Sequence, residues 1–146
     1  MDRAVIGQKL ESLRRCLGRI RSKQPFDAEQ LAGDFDLQDI VALNLTRAVQ
    51  LSVDVATHIV AGLELTAPGT MGESFDRLAQ VKLIDVKLAQ QLKAAVGFRN
   101  VAVHNYSSVN WQMVHSIVLN HLQDFDAFAN AVVQHQERQD SRSGQK

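Results

Sequence analysis

The stretch DLQDIVALNLTRAVQLSVDVATHIVAG, Asp36 to Gly62, decides the fold class. It holds no proline and no glycine before its last residue, and its apolar side chains recur at helical period. Ile40, Leu43, Leu51, Val55 and Ile59 mark one side of a helix, and Val41, Leu45, Val49, Val53 and Val60 widen that side into a broad arc. Such a helix is roughly 40 Å long at about 1.5 Å per residue. An arc so wide is hard to cover within one small bundle. The surplus face argues for an all-α chain that forms a homodimer, and a well-covered central helix would leave the same pattern.

Working outward, the same period gives the other elements. Ile6, Leu10, Leu13, Leu17 and Ile20 make a narrow apolar seam on a first helix over Arg3 to Lys23, which Pro25 ends. Asp27 can cap a short helical turn, Ala28 to Ala32, closed by Gly33. Leu65 to Met71 reads as a loop, followed by a short helix to Val81 opened by Glu73 or Ser74. Asp85 can cap a helix from Val86 whose buried side is Leu88, Leu92 and Val96. Val101 and Val103 are expected to pack. Ser108 or Asn110 can start a last helix to Gln136, with Leu119, Leu122, Phe125, Phe128 and Val132 on its apolar face and Trp111 packing at its start. The result is one helical bundle of four to five main helices over residues 1–136, with a polar tail, 137–146, expected to be disordered.

Composition bounds the function classes. A chain of 146 residues with 45% hydrophobic and 5% aromatic side chains builds one core and needs no second domain. No apolar run reaches the ~20 residues of a membrane span, and no signal peptide is visible, so a cytoplasmic address is expected. The single cysteine, Cys16, has no partner for an internal disulfide and reads as a half-buried residue of a reducing compartment. Net charge is zero but unevenly spread: residues 1–24 carry +5, residues 25–66 carry −6 and the remainder +1. A basic first helix and an acidic long helix are thus expected side by side. The basic residues of the first helix spread around it rather than forming one stripe, which reads as a solvated face rather than a nucleic-acid track.

Chemistry concentrates in GFRNVAVHNY, Gly97 to Tyr106. Cutting RNA through its own 2′-hydroxyl needs a base, an acid and positive charge on the phosphate. Imidazole serves as base or acid near neutral pH, and guanidinium offers a planar fork of donors to phosphate oxygens. Asn100 and His104 are four apart and share a helix face. Arg99 and His104 are five apart and diverge by roughly 140°. Either the helix end bends or a second copy completes the site. The motif holds one histidine where acid/base transfer is easiest with two, which favours a second copy. Gly97 in mid-helix costs about 1 kcal/mol relative to alanine, and close approach by a partner helix would account for it.

These residues resemble the HEPN-domain ribonucleases, whose signature is arginine, a polar residue, three further residues and histidine. The added Tyr106 gives RxxxxHxY, as in HepT toxins paired with MntA-type nucleotidyltransferase antitoxins. Asp34 to Val60, Glu73 to Ile84 and His121 to Phe128 also resemble HepT segments, so the likeness covers most of the chain. Thr46 departs from it, standing where related chains often carry glutamine. The resemblance implies a HEPN-like bundle acting as a homodimeric, metal-independent endoribonuclease toxin. Arg99 and His104 would be its catalytic pair and Asn100 their supporting residue. It further implies an RNA substrate, a cognate MntA-type nucleotidyltransferase partner, and AMP transfer from ATP onto Tyr106 as the switch.

Other candidates are weaker. The histidines at 58, 104, 115, 121 and 135 show no zinc-site spacing, and no phosphate-cradling glycine loop or nucleophile elbow is present, so neither metal nor cofactor is expected. Asp54 and His58, four apart, can pair on the long helix. Two further readings of the chain stay open: a non-catalytic, nucleotide-binding helical subunit of a nucleotidyltransferase, and a purely structural dimer.

Overall fold

Three aspartates set the starts of three helices. Asp27 Oδ1 accepts from the Gln30 backbone N–H at 2.7 Å, Asp34 Oδ1 from Leu37 at 3.0 Å and Asp85 Oδ1 from Leu88 at 2.7 Å. Each satisfies a donor that the first turn leaves free. At Asp27 the cap is reciprocal, because the Gln30 side chain accepts from the Asp27 backbone N–H at 2.9 Å.

The computed structural model describes residues 3–144 and places them in six α-helices. They are α1 (Arg3–Arg21), α2 (Ala28–Gly33), α3 (Phe35–Gly62), α4 (Glu73–Gln80), α5 (Val86–His104) and α6 (Trp111–Gly144), with a 3-10 turn over Tyr106–Ser108. No strand occurs among the described residues. The long central helix α3 touches every other helix, most extensively α1. The basic and acidic segments do lie side by side there, and Lys9 Nζ reaches Asp54 Oδ2 at 3.3 Å.

The core is built where the apolar stripes meet. Ile6, Leu10, Leu13, Leu17 and Ile20 of α1 are all buried, as are Val41, Leu45, Val49, Val53, Val55, Ile59 and Val60 of α3. Phe75 of α4 and Phe128 of α6 pack edge to face at 5.7 Å between ring centroids. Cys16 is buried, and that burial pushes its thiol above the ordinary range against the opposing charges of Arg47 and Arg15.

Leu119, expected on the apolar face of α6, is 64% exposed. Val118 takes the buried place, because the stripe through Val114, Val118, Leu122 and Phe125 leaves the next residue about 100° away. The polar tail also differs from expectation. Helix α6 continues past Gln136 to Gly144, so residues 137–144 are helical, and residues 145–146 lie outside the described residues. Extending an existing helix costs little per residue, and Asp140 forms an ion pair with Arg3 at the start of α1.

Two helices end on left-handed residues that are not glycine. Glu64 (φ 56°) follows α3 and Lys82 (φ 60°) follows α4. Each turn is closed by a backbone bond to an exiting carbonyl, Leu65 N–H to Val60 O at 3.2 Å and Leu83 N–H to Leu78 O at 3.0 Å.

Candidate functional site

Helix α5 begins as a core helix and ends as something else. Ala89, Leu92, Val96 and Phe98 are buried. Beyond Phe98 the helix leaves the core: Arg99 and Ala102 are half-buried, whereas Asn100, Val101, Val103 and His104 are exposed. Val101 and Val103, expected to pack, are 41% and 49% exposed. Phe98 and Ala102 share the face that meets the bundle, so the two valines fall on the faces turned away from it.

The helix runs unbroken from Val86 to His104, so no break in it turns Arg99 and His104 toward each other. Arg99 Nη1 donates to Asn100 Oδ1 at 3.1 Å. Its Nε is shielded from solvent and has no acceptor among the described residues. A buried donor left unpaired costs roughly 1–3 kcal/mol, so this end of α5 is short of an acceptor. Asn100 therefore engages Arg99, the other half of the pair from the histidine whose face it shares. A Cβ built on Gly97 would meet nothing within 4 Å, so no contact inside the chain requires glycine there.

The turn after His104 is held from both sides. Asn105 caps α5, its N–H donating to Val101 O at 2.8 Å, and its Oδ1 accepts from Ser107 Oγ at 3.0 Å. Val109 is buried beneath the turn, and Asn110 Oδ1 accepts from the Met113 N–H at 3.1 Å to start α6. Between these anchors Tyr106 lies edge to face on Trp111, with centroids 5.7 Å apart. Its hydroxyl donates to Asp39 Oδ1 at 2.8 Å. Burial of the hydroxyl end, then the Asp39 hydrogen bond and charge, push its pKa up to about 12.

Asp39 is the residue that sequence reasoning missed. It stands 67 positions from Tyr106, on the part of α3 next to an open cleft of about 1210 Å³ between α1 and α3. Arg15, Arg19 and Arg47 line the same cleft, and Ile40, Leu43 and Leu51 give it an apolar wall. Leu43 is 50% exposed there, whereas Val41, Leu45, Val49, Val53, Val55, Ile59 and Val60 of the same arc are covered within the chain.

The expected Asp54–His58 pair is not formed. Asp54 instead accepts from Lys9 Nζ at 3.3 Å and Gln50 Nε2 at 2.9 Å, and His58 lines a different hollow with Arg3, His135 and Asp140. The carboxylate is thus shared between a cation of α1 and an amide of its own helix. Two other histidines are engaged, His115 Nε2 with Phe26 O, 89 positions away, at 3.1 Å and His121 Nδ1 with the nearby Asp124 Oδ2 at 2.8 Å. Among the described residues no three His, Cys, Asp or Glu side chains gather as metal ligands would.

Similarity to known proteins bears on this arrangement. The chain is 39% identical over 128 residues to the mRNA nuclease HepT of Shewanella oneidensis, covering 88% of this chain and 96% of that protein. It is 23% identical to the tRNA nuclease HepT of Aphanizomenon flos-aquae over 90% of each chain. Its fold matches that of the tri-AMPylated Shewanella oneidensis HEPN toxin solved in complex with MNT antitoxin, with a TM-score of 0.84 and 38% identity over 92% of this chain and 99% of that one. YutE of Bacillus subtilis shares the fold at a TM-score of 0.84 with 16% identity, covering 95% and 93%. Residues 13–132 match the family described as "Ribonuclease HepT-like", and the chain belongs to that family.

Proposed function

We propose that this chain is a metal-independent endoribonuclease toxin whose active site is completed when two copies pool Arg99 and His104. The observation that carries this reading is the state of Arg99: a guanidinium with a shielded Nε that no acceptor among the described residues satisfies, five residues before an exposed histidine. A turn of the side chain that uncovers Nε would let a phosphate oxygen supply the missing acceptor. The two side chains diverge by roughly 140° on one unbroken helix, so a single copy offers them to different directions. A two-fold partner restores convergence and doubles the imidazoles.

In the proposed reaction His104 of one protomer takes the 2′-hydroxyl proton, and the oxygen attacks phosphorus to give a cyclic phosphate. The second protomer's His104 protonates the departing 5′-oxygen. Arg99 stabilises the charge that builds on the phosphoryl oxygens, and Asn100 holds the guanidinium in plane through its Oδ1. The exposed Val101 and Val103, inside the motif, supply apolar area for the partner copy. An MntA-type nucleotidyltransferase partner switches the toxin off by adding AMP to Tyr106, two residues from His104, which places negative charge and bulk where substrate phosphate must lie. The named relatives, nucleases and an AMPylated toxin bound to its antitoxin, support this reading.

RNA cleavage by the purified chain in excess EDTA tests the metal-free route. Activity is expected to persist, and its loss on chelation overturns that route. Expression of the chain alone, beside a His104→Ala version, tests toxicity: growth arrest and RNA decay in the first culture only are expected. Equal growth of both cultures would favour a non-catalytic partner subunit instead.

A further inference from the structure

We propose that Asp39 aligns the Tyr106 hydroxyl and takes its proton during AMP transfer, an inference that rests on reading Tyr106 as the AMP acceptor. The geometry is specific. Asp39 Oδ1 accepts the phenolic hydrogen at 2.8 Å, from a helix 67 residues away in sequence, while Trp111 holds the ring by its edge. One rotamer is thereby selected, with the hydroxyl hydrogen aimed at a carboxylate and the remaining oxygen lone pair free to attack.

The chemistry asks for such a group. Burial and the Asp39 carboxylate raise the Tyr106 pKa, so the phenol is almost wholly protonated at pH 7. Free phenolate is therefore too scarce to be the working nucleophile, and the proton has to leave as the new bond forms. In the step proposed, Tyr106 Oη attacks the α-phosphorus of a nucleoside triphosphate bound to the nucleotidyltransferase. The Oη–P bond forms, the α–β phosphoanhydride bond breaks, and pyrophosphate departs with the bonding electrons. The hydroxyl proton passes to Asp39 and from there to solvent. Afterwards the ester has no hydrogen to donate, and its phosphodiester anion faces the carboxylate that held the hydroxyl.

Asp39 comes from α3, and Glu11, Arg14, Arg15 and Arg19 of α1 and Arg47 of α3 line the cleft beside it. His104 lies two residues back on α5, and the contribution of α6 is the neutral Trp111 ring.

The test follows AMP addition by intact mass, using the full chain, its cognate nucleotidyltransferase and ATP, for wild type, Asp39→Asn, Asp39→Ala and Tyr106→Phe. The asparagine amide still accepts a hydrogen bond but takes no proton, so it separates positioning from proton transfer. Asp39→Asn is expected to lower kcat for modification by about 10²-fold, the low end of an acid/base contribution, with KM for the toxin nearly unchanged. The ratio of variant to wild-type rate should rise between pH 7 and pH 9.5, because a phenol freed of the carboxylate ionises more readily. Taking the ratio cancels the partner enzyme's own titration. Asp39→Ala is expected to be as slow as Asp39→Asn or slower. An Asp39→Asn rate within twofold of wild type, or a loss that rising pH does not restore, overturns the inference. Wild type that gains no AMP, or modification persisting in Tyr106→Phe, instead removes the acceptor assignment beneath it. Asp39 is an exposed residue, and an unchanged helical circular-dichroism signal confirms that the asparagine chain is folded.

Discussion

The two ends of α5 obey different rules. From Val86 to Phe98 the helix is organised for stability: Asp85 caps it and Ala89, Leu92, Val96 and Phe98 are buried against α3, α4 and α6. From Arg99 to Tyr106 the same chain exposes two valines, a histidine and a tyrosine ring, and leaves a guanidinium nitrogen without an acceptor among the described residues. A segment selected only for folding would not combine those features, since each forgoes stability that burial or pairing would bring. The contrast teaches that this end of α5 is shaped by something outside the single chain.

The contrast breaks most sharply when activity and stability are read on the same pair of variants. His104→Ala is expected to lower RNA cleavage by about 10²- to 10⁴-fold while changing unfolding free energy by less than about 0.5 kcal/mol. Phe128→Ala, which removes a fully buried ring of α6, sets the scale for a core loss and should cost about 3–5 kcal/mol in urea unfolding. If His104→Ala melts the protein or leaves cleavage intact, the division of α5 into two regions fails. Arg99→Ala comes next, with about 10²- to 10³-fold lost in cleavage and no comparable loss of stability. A stability loss as large as that of Phe128→Ala would mark Arg99 as structural.

Smaller effects sharpen the stable side. Asp27→Ala removes the side-chain half of the α2 capping box, the bond accepted from the Gln30 N–H, and leaves the backbone N–H that donates to Gln30 Oε1; it should cost about 1 kcal/mol, with cleavage per folded molecule unchanged. The smallest effect concerns His135 on α6. Its burial, then the charges of Arg138 and Arg142, hold its pKa below the ordinary imidazole range. The folded state thus binds this proton less readily than the unfolded state. The contribution of His135 to stability is complete above the unfolded pKa of about 6.5 and is lost as pH falls through the lower folded value. The thermal midpoint should therefore fall less steeply between pH 7 and pH 5 in His135→Gln than in wild type; identical slopes would remove the assignment.

Much of the bundle was legible in the residues because helices announce themselves locally. Period, caps and breakers located α1, α3, α4 and α5 to within a few residues, and Asp27 and Asp85 cap as their positions suggest. Leu119, Val101 and Val103 were misplaced for one reason: an apolar residue beside the stripe looks the same in a sequence as one on it, and only the neighbouring helices decide which is covered. The end of α6 was misjudged because a polar composition carries no trace of the Arg3–Asp140 tie between two ends of the chain.

At the motif, the residues themselves determined the chemistry on offer: a guanidinium, an amide, an imidazole and a phenol within eight positions, Arg99 to Tyr106, on a helix end. Side-chain identity and helical spacing are local properties, and they fix what can donate, accept or carry charge. Only the tertiary structure decided which of those groups are left wanting a partner and which are held. Arg99 Nε is shielded without an acceptor among the described residues, Asp54 turns to Lys9 rather than His58, and Tyr106 is gripped by Asp39 from a distant helix. Those pairings depend on how α1, α3 and α6 pack around one another, and such packing is a property of the whole core.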